Sequence, residues 1–303
     1  MLCFGWLEKG LSVSNLIEGF LGKSVEGKKS RIPAKLDYWQ SATGLFLALF
    51  MWGHMFFVSS ILVSKDFMYS VTKMFEGVSF IDGGNPFIVS VAVAIVLTII
   101  IIHAVLGMRK FPANYRQYRA FRTHMKMMEH EDTTLWFIQA FTGFAMFFLA
   151  SAHLFIMLTK PETIGPFGSA DRMITDWMWP IYLLLLLAVE FHGSIGLYRL
   201  SVKWGWFEGS DAKVTRANLK KVKWAITAFF LILGLTTLAA YMKIGLEHRD
   251  HAGQRFQPTA MIIQHANSII YSKNQNIDMN TETPFRALVA RNFSGIHFQG
   301  KGV

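Results

Sequence analysis

The 303-residue sequence has a single cysteine, Cys3. One thiol excludes an internal disulfide and any iron–sulfur cluster held by this chain's own cysteines. No Cys-x-x-Cys-His run is present, so covalent attachment of haem is excluded too. Charge is also scarce. Asp, Glu, Lys and Arg make up 17% of the residues, against about a quarter in an ordinary soluble domain. The first residues lack a secretory signal layout, because Glu8 and Lys9 interrupt any apolar core.

Apolar and aromatic side chains fill the space that charge leaves. Hydrophobic residues reach 52%, with 27 Phe, 16 Met and 9 Trp. Five apolar segments stand out, over approximately Tyr38–Val63, Phe87–Met108, Thr133–Thr159, Trp177–Arg199 and Trp224–Met242. Each is long enough to cross about 30 Å of hydrocarbon as a helix. The expected fold is therefore all-α, an integral membrane bundle of five transmembrane helices. Residues 1–37 precede it as an N-terminal segment. Around Leu11–Leu21 that segment reads equally as a surface amphipathic helix or as a flexible tail. The bundle spans residues 38–246, and the polar, Asn-rich residues 247–303 read as an extended outer tail.

The net charge of +10 raises nucleic acid as a partner, but in a membrane protein Lys and Arg first mark the cytoplasmic loops. Lys23, Lys28, Lys29, Arg31 and Lys35 crowd the N-terminal segment. The second connection carries Arg109, Lys110, Arg116, Arg119, Arg122 and Lys126, and the fourth is similarly basic. The first has only Lys65 and Lys73, the third only Lys160 and Arg172. The N-terminus is thus expected in the cytoplasm and the C-terminus on the outer side of the membrane.

Four of the ten histidines lie within apolar spans, one on each of the first four: His54, His103, His153 and His192. Ionisable groups in hydrocarbon are expensive and usually functional. An internal repeat relates them. The first span reads Gln40-Ser-Ala-Thr43-Gly44 before His54, the third Gln139-Ala-Phe-Thr142-Gly143 before His153. The second reads His103-Ala-Val-Leu-Gly107, the fourth His192-Gly-Ser-Ile-Gly196. The bundle is therefore two duplicated hairpins plus a fifth helix. His54 lies about 24 Å along its helix from the inner end, so His54 and His153 share an outer level. His103 and His192, on helices running the other way, share an inner one. Two imidazoles per level suit a bis-histidine haem, twice over. Gly44, Gly53, Gly143 and Gly193 would let a flat macrocycle approach the backbone. Zinc would want more tightly clustered ligands. A histidine proton relay stays open but leaves the repeat unexplained. His124 and His130 read as solvated or partner-facing, while His248, His251, His265 and His297 show no metal spacing.

Longer stretches carry a resemblance. They include Lys35-Leu-Asp37-Tyr-Trp-Gln40-Ser-Ala-Thr-Gly44, Met108-Arg-Lys-Phe-Pro112 and Asp132-Thr-Thr-Leu-Trp136. Trp177-Met-Trp-Pro180, Glu190-Phe-His192-Gly-Ser and Val202-Lys-Trp-Gly-Trp-Phe207 extend it. The chain resembles the dihaem cytochrome b subunits of quinol:fumarate reductases, within the succinate:quinone oxidoreductases, from about Lys28 to Leu246. Residues 1–26 and the tail fall outside the pattern.

The resemblance implies that His54 and His153 bind the distal haem and His103 and His192 the proximal one, two b-type haems in all. It implies that Glu76, in the first outward connection, accepts protons from menaquinol, and that Glu190 serves transmembrane proton transfer. Asp66 and Asp82 share the Glu76 loop as rivals. It implies that Gln40, Ser41, Trp136 and Lys203 meet the proximal haem propionates. The implied partners are an iron–sulfur subunit and an FAD flavoprotein, in a dimer of heterotrimers, with the fumarate site on another chain. The alternatives are the succinate-oxidising direction, or a cytochrome b anchor of a hydrogenase or formate dehydrogenase. A haem-free anchor or histidine-lined transporter is the reading from a different class.

Overall fold

A computed structural model describes residues 31–112, 114–128 and 131–259, together with residues 261 and 268. The expected surface helix around Leu11–Leu21, His130, His265 and His297 lie outside the described residues. The chain divides into two units, residues 1–255 and 256–303, and the bundle belongs to the first. Its described residues are helical, without strands.

Five helices are long and apolar enough to cross a membrane. They are α1 (Ile32–Ser59), α3 (Pro86–Met108), α5 (Glu131–Thr159), α7 (Trp179–Trp204) and α8 (Ala212–Glu247). Shorter helices lie between them: α2 (Lys65–Phe75), α4 (Tyr115–Met128) and α6 (Pro166–Ile174). The boundaries have local causes. Ser64 caps α2 by accepting the Phe67 N–H at 2.9 Å, and Asn85 caps α3 through the Phe87 N–H at 2.9 Å. Pro86 then opens α3, where its missing N–H costs nothing. Gly205 ends α7 in the left-handed region, at φ +65°.

The helix α8 begins well before the apolar run at Trp224. Asp211 caps it by accepting the Lys213 and Val214 N–H groups, and the lysines that follow are good helix formers. Hydropathy marks only the stretch that meets hydrocarbon, whereas the helix continues through its charged end.

The helices α1, α3, α5 and α7 pack as a closed ring, each against the next and α7 back against α1. α8 lies outside the ring against α1 and α7, and α6 packs on α8. The histidine-bearing helices are thus the four that face one another. Large apolar side chains point outward, among them Phe46, Phe144, Phe148, Phe155 and Ile95. On a soluble protein such a surface would be an interaction patch; here it meets lipid.

The segment after Glu247 departs at its start from the extended tail expected of it. His248 is buried, with its Nδ1 at 2.8 Å from Asp171 Oδ1 and its ring stacked at 3.9 Å on Phe167. Asp171 also accepts the Gly253 N–H at 2.9 Å. One buried carboxylate therefore pins the chain beyond α8 onto α6. This tie is polar and between distant residues, so hydropathy could not show it.

Two glycines set the distance between α8 and its neighbours. A Cβ on Gly245 would fall 2.5 Å from the Ala170 carbonyl oxygen, which is backbone, and 2.8 Å from Ile174 Cγ1. A Cβ on Gly234 would meet only the ends of the Leu186 and Met55 side chains. Overpacking that side chains cannot relieve costs about 1–3 kcal/mol. Gly245→Ala is expected to lower the thermal midpoint of the detergent-solubilised protein clearly, and Gly234→Ala by much less, when the two melts are compared.

Candidate functional site

The ring brings the four histidines together in two pairs. The His54 and His153 rings are 6.0 Å apart between centroids and inclined at 76°. The His103 and His192 rings are 6.3 Å apart at 85°. An imidazole nitrogen sits about 2 Å from a bound transition metal and about another ångström from its own ring centre. Two rings on opposite sides of one ion are therefore roughly 6 Å apart, the separation found at both levels. Among the described residues no group of three or more His, Cys, Asp or Glu side chains could hold a metal, so zinc lacks the ligand cluster it prefers.

Neighbouring groups hold three of these rings by Nδ1. His192 Nδ1 is 2.8 Å from the Gln139 carbonyl. A carbonyl can only accept, so Nδ1 carries the proton and Nε2 keeps its lone pair for a metal. His103 Nδ1 lies 3.1 Å from Thr43 Oγ1, and His153 Nδ1 lies 3.1 Å from Tyr182 Oη. Thr43 and Gln139 belong to the repeated Gln-x-x-Thr-Gly segments, so the repeat places both the ligand candidates and the groups that orient them.

The glycines of that segment have a different task from the one expected. A Cβ on Gly44 would fall 2.8 Å from His103 Cε1, and one on Gly143 would fall 2.7 Å from His192 Cε1. These glycines make room for the imidazoles themselves. At Gly53 and Gly193 the nearest atoms are Phe57 Cε2 at 3.9 Å and Met51 Cε at 3.3 Å.

At one end of the ring, Asp37 collects three cations. Arg109 Nη2 is 2.6 Å from Oδ1, Lys110 Nζ 2.8 Å from Oδ1, and Lys203 Nζ 2.8 Å from Oδ2. Partial burial lowers the Lys110 ammonium from the usual lysine range, against the opposing pull of Asp37. Ser41 Oγ donates to the Asp37 carbonyl at 2.9 Å and lies 3.3 Å from Lys203 Nζ. Ser41 and Lys203 thus share one cluster, with positive charge in excess. Gln40 Oε1 is buried and unpartnered. Trp136 packs against Phe111 and Phe121 instead, at 6.2 and 4.7 Å. The Asp37 hub was not legible as a site, since a lone Asp near a helix start has many ordinary uses.

The two carboxylates sit in contrasting surroundings. Glu190, on α7, is fully buried, and neither of its carboxylate oxygens has a hydrogen-bond partner. Glu76 follows the last turn of α2 and is only 4% exposed, so it is no solvated loop residue. Its Oε2 lies 2.6 Å from Lys73 Nζ, and its carbonyl accepts the Asn85 N–H at 2.7 Å. Of its rivals, Asp82 is exposed and Asp66 lies in the first turn of α2. Asn85 also lines an open groove of about 630 Å³ between the start of α3 and the end of α5, with Phe87, Ser90, Val91, Leu158 and Thr159. Groove and carboxylate are therefore neighbours along the chain, although Glu76 is not part of the groove wall.

Residues 115–234 match the family described as succinate dehydrogenase/fumarate reductase transmembrane subunit. The fumarate reductase cytochrome b subunit of Wolinella succinogenes is 60% identical over 236 residues, 78% of this chain and 92% of the relative. That of Helicobacter pylori strain J99 is 58% identical over 242 residues, 80% of this chain and 93% of the relative. The chain belongs to this family. As a succinate dehydrogenase/fumarate reductase transmembrane subunit, it is the membrane-spanning part of an oxidoreductase complex that also has catalytic subunits. The hydrogenase and formate dehydrogenase alternative falls with that membership.

The turn that carries Glu76 offers a test of how tightly it is held. Gly83 and Gly84 both have positive φ, +75° and +72°. A Cβ at Gly84 would lie 2.9 Å from Glu76 Cβ, whereas at Gly83 it would meet open space. Each alanine carries left-handed strain of about 1–2 kcal/mol. Only Gly84→Ala should also displace Glu76, and it is expected to show the larger loss of thermal stability in parallel melts.

Proposed function

We propose that this chain is the dihaem cytochrome b subunit of a quinol:fumarate reductase that takes its electrons from menaquinol. The observation that carries the reading is the pair of imidazole pairs, each spaced so that both rings could reach one metal ion. In it, His54 and His153 would hold the outer haem iron, and His103 and His192 would hold the inner one. When bound, the two haems supply one-electron relays that link quinol on the outer side to an iron–sulfur subunit and an FAD flavoprotein that reduces fumarate. The ring of four helices shuts water away from the ligands.

Quinol oxidation also releases protons, and a base beside the ring lowers that barrier. Glu76 takes this role. Lys73 fixes its Oε2, and Oε1 is the atom assigned to accept a proton from the quinol hydroxyl. Its burial supports the assignment, because a sheltered carboxylate, bound through its carbonyl to the groove residue Asn85, is better placed than Asp82 in water. Glu190 is assigned to carry a proton within the membrane. A fully buried, unpartnered carboxylate is costly to keep for structural reasons alone. Lys203 and Ser41, with Gln40 and Trp136, are assigned to the inner propionates. The cationic excess at Asp37 suits such acidic groups. The N-terminus then faces the cytoplasm of an inner membrane, the C-terminus faces outward, and the assembly is a dimer of heterotrimers.

A potentiometric titration of the purified complex, followed in the visible absorbance, should resolve two b-type transitions. Haem quantitation should give two per chain. His103→Ala or His192→Ala should remove one haem and His54→Ala the other, while two haems retained in all three variants would refute the ligand assignment. Gly143→Ala should lower the inner haem's occupancy by displacing the His192 ring. Glu76→Gln should abolish quinol oxidation but preserve fumarate reduction from an artificial soluble donor.

A further inference from the structure

The helix α4 is joined to the spans α3 and α5 and carries its charge on one side. Arg116, Arg119, Arg122 and Lys126 recur at three- and four-residue spacing, which places them on one face. All four are exposed. None takes part in an ion pair among the described residues, whose cations pair instead at Asp37, Glu76, Glu131, Asp132, Asp171 and Glu247. Tyr118, Phe121 and Met125 recur on the opposite side, where Phe121 and Met125 are half-buried.

The height of α4 relative to the bilayer follows from one contact. The Phe121 ring lies 4.7 Å from that of Trp136. Trp136 is in the second turn of α5, already inside the apolar run that begins at Thr133. The middle of α4 is therefore level with the membrane boundary, not held away from it in the aqueous phase. Phe121, on its apolar side, meets the start of α5 through Trp136, which sets the basic face at headgroup height. Cations there are attracted to anionic headgroups.

We propose that α4 is a lipid-binding element, in which Arg116, Arg119, Arg122 and Lys126 bind the phosphates of anionic phospholipids at the bilayer surface. The chemistry needs only negative headgroups in the leaflet that α4 touches, so it does not depend on the orientation assigned above. The rival occupant of a basic face is an acidic surface of a partner subunit. The level of α4 favours lipid, since long basic side chains at headgroup height reach phosphates directly.

The test uses the complete complex in nanodiscs of neutral phosphatidylcholine, or of phosphatidylcholine with phosphatidylglycerol, and reads amide hydrogen exchange in α4. Exchange across Tyr115–Met128 should slow by roughly tenfold or more in the anionic discs. High salt should reverse the slowing. A variant with all four cations changed to Gln should exchange equally fast in both lipids, with its haem content unchanged. The lipid comparison on the unmodified complex needs no variant and stands if the variant fails to assemble. Equal exchange in the two lipids would overturn the proposal. A carbodiimide cross-link from Lys126 to a partner carboxylate, with exchange insensitive to lipid charge, would overturn it and give the face to the protein partner.

Discussion

Imidazole in hydrocarbon has few ways to be satisfied, and this constraint organises the bundle. Water is absent, so each ring must find a hydrogen-bond partner for one nitrogen and something for the other. Thr43, the Gln139 carbonyl and Tyr182 meet the Nδ1 atoms of His103, His192 and His153. The ring of α1, α3, α5 and α7 closes around what remains, two pairs of facing rings about 6 Å apart. Gly44 and Gly143 follow from this arrangement, because any side chain there would strike the imidazoles.

Polar groups away from the histidines obey the same rule at the two ends of the bundle. Asp37 ties α1 to Arg109 after α3 and to Lys203 on α7. At the other end Asp171 holds His248 and Gly253, and so ties α6 to the chain beyond α8. Each is a single carboxylate joining distant segments, a role that apolar packing against lipid-like neighbours fills poorly. Glu190 breaks the pattern. It is buried, and neither of its carboxylate oxygens has a hydrogen-bond partner.

The connection between α1 and α3 behaves differently from the bundle. Its short helix α2 and the turn after it hold Glu76 by Lys73, by the Asn85 N–H and by the close approach of Gly84. That carboxylate is held by both its side chain and its backbone, and Asn85, which donates to its carbonyl, lines the open groove at the start of α3.

The sequence by itself determined the number of spans, their order, the duplicated hairpins and the four intramembrane histidines. Those features rest on local composition and periodic spacing, which survive without any knowledge of the fold. It also fixed which helix carries each histidine, and antiparallel succession then set their levels. Tertiary structure decided the rest. It showed that Gly44 and Gly143 clear space for imidazoles, that Asp37 gathers three cations, and that Glu76 is buried against Lys73. It also showed that His248 is folded in with Asp171, although the run after Glu247 reads as polar tail. Three of the four depend on side chains far apart in the chain meeting at a few ångströms, and neither hydropathy nor repeat spacing records distance between segments. The Glu76–Lys73 pair is local, three residues apart, and there it is the burial that only the fold decides.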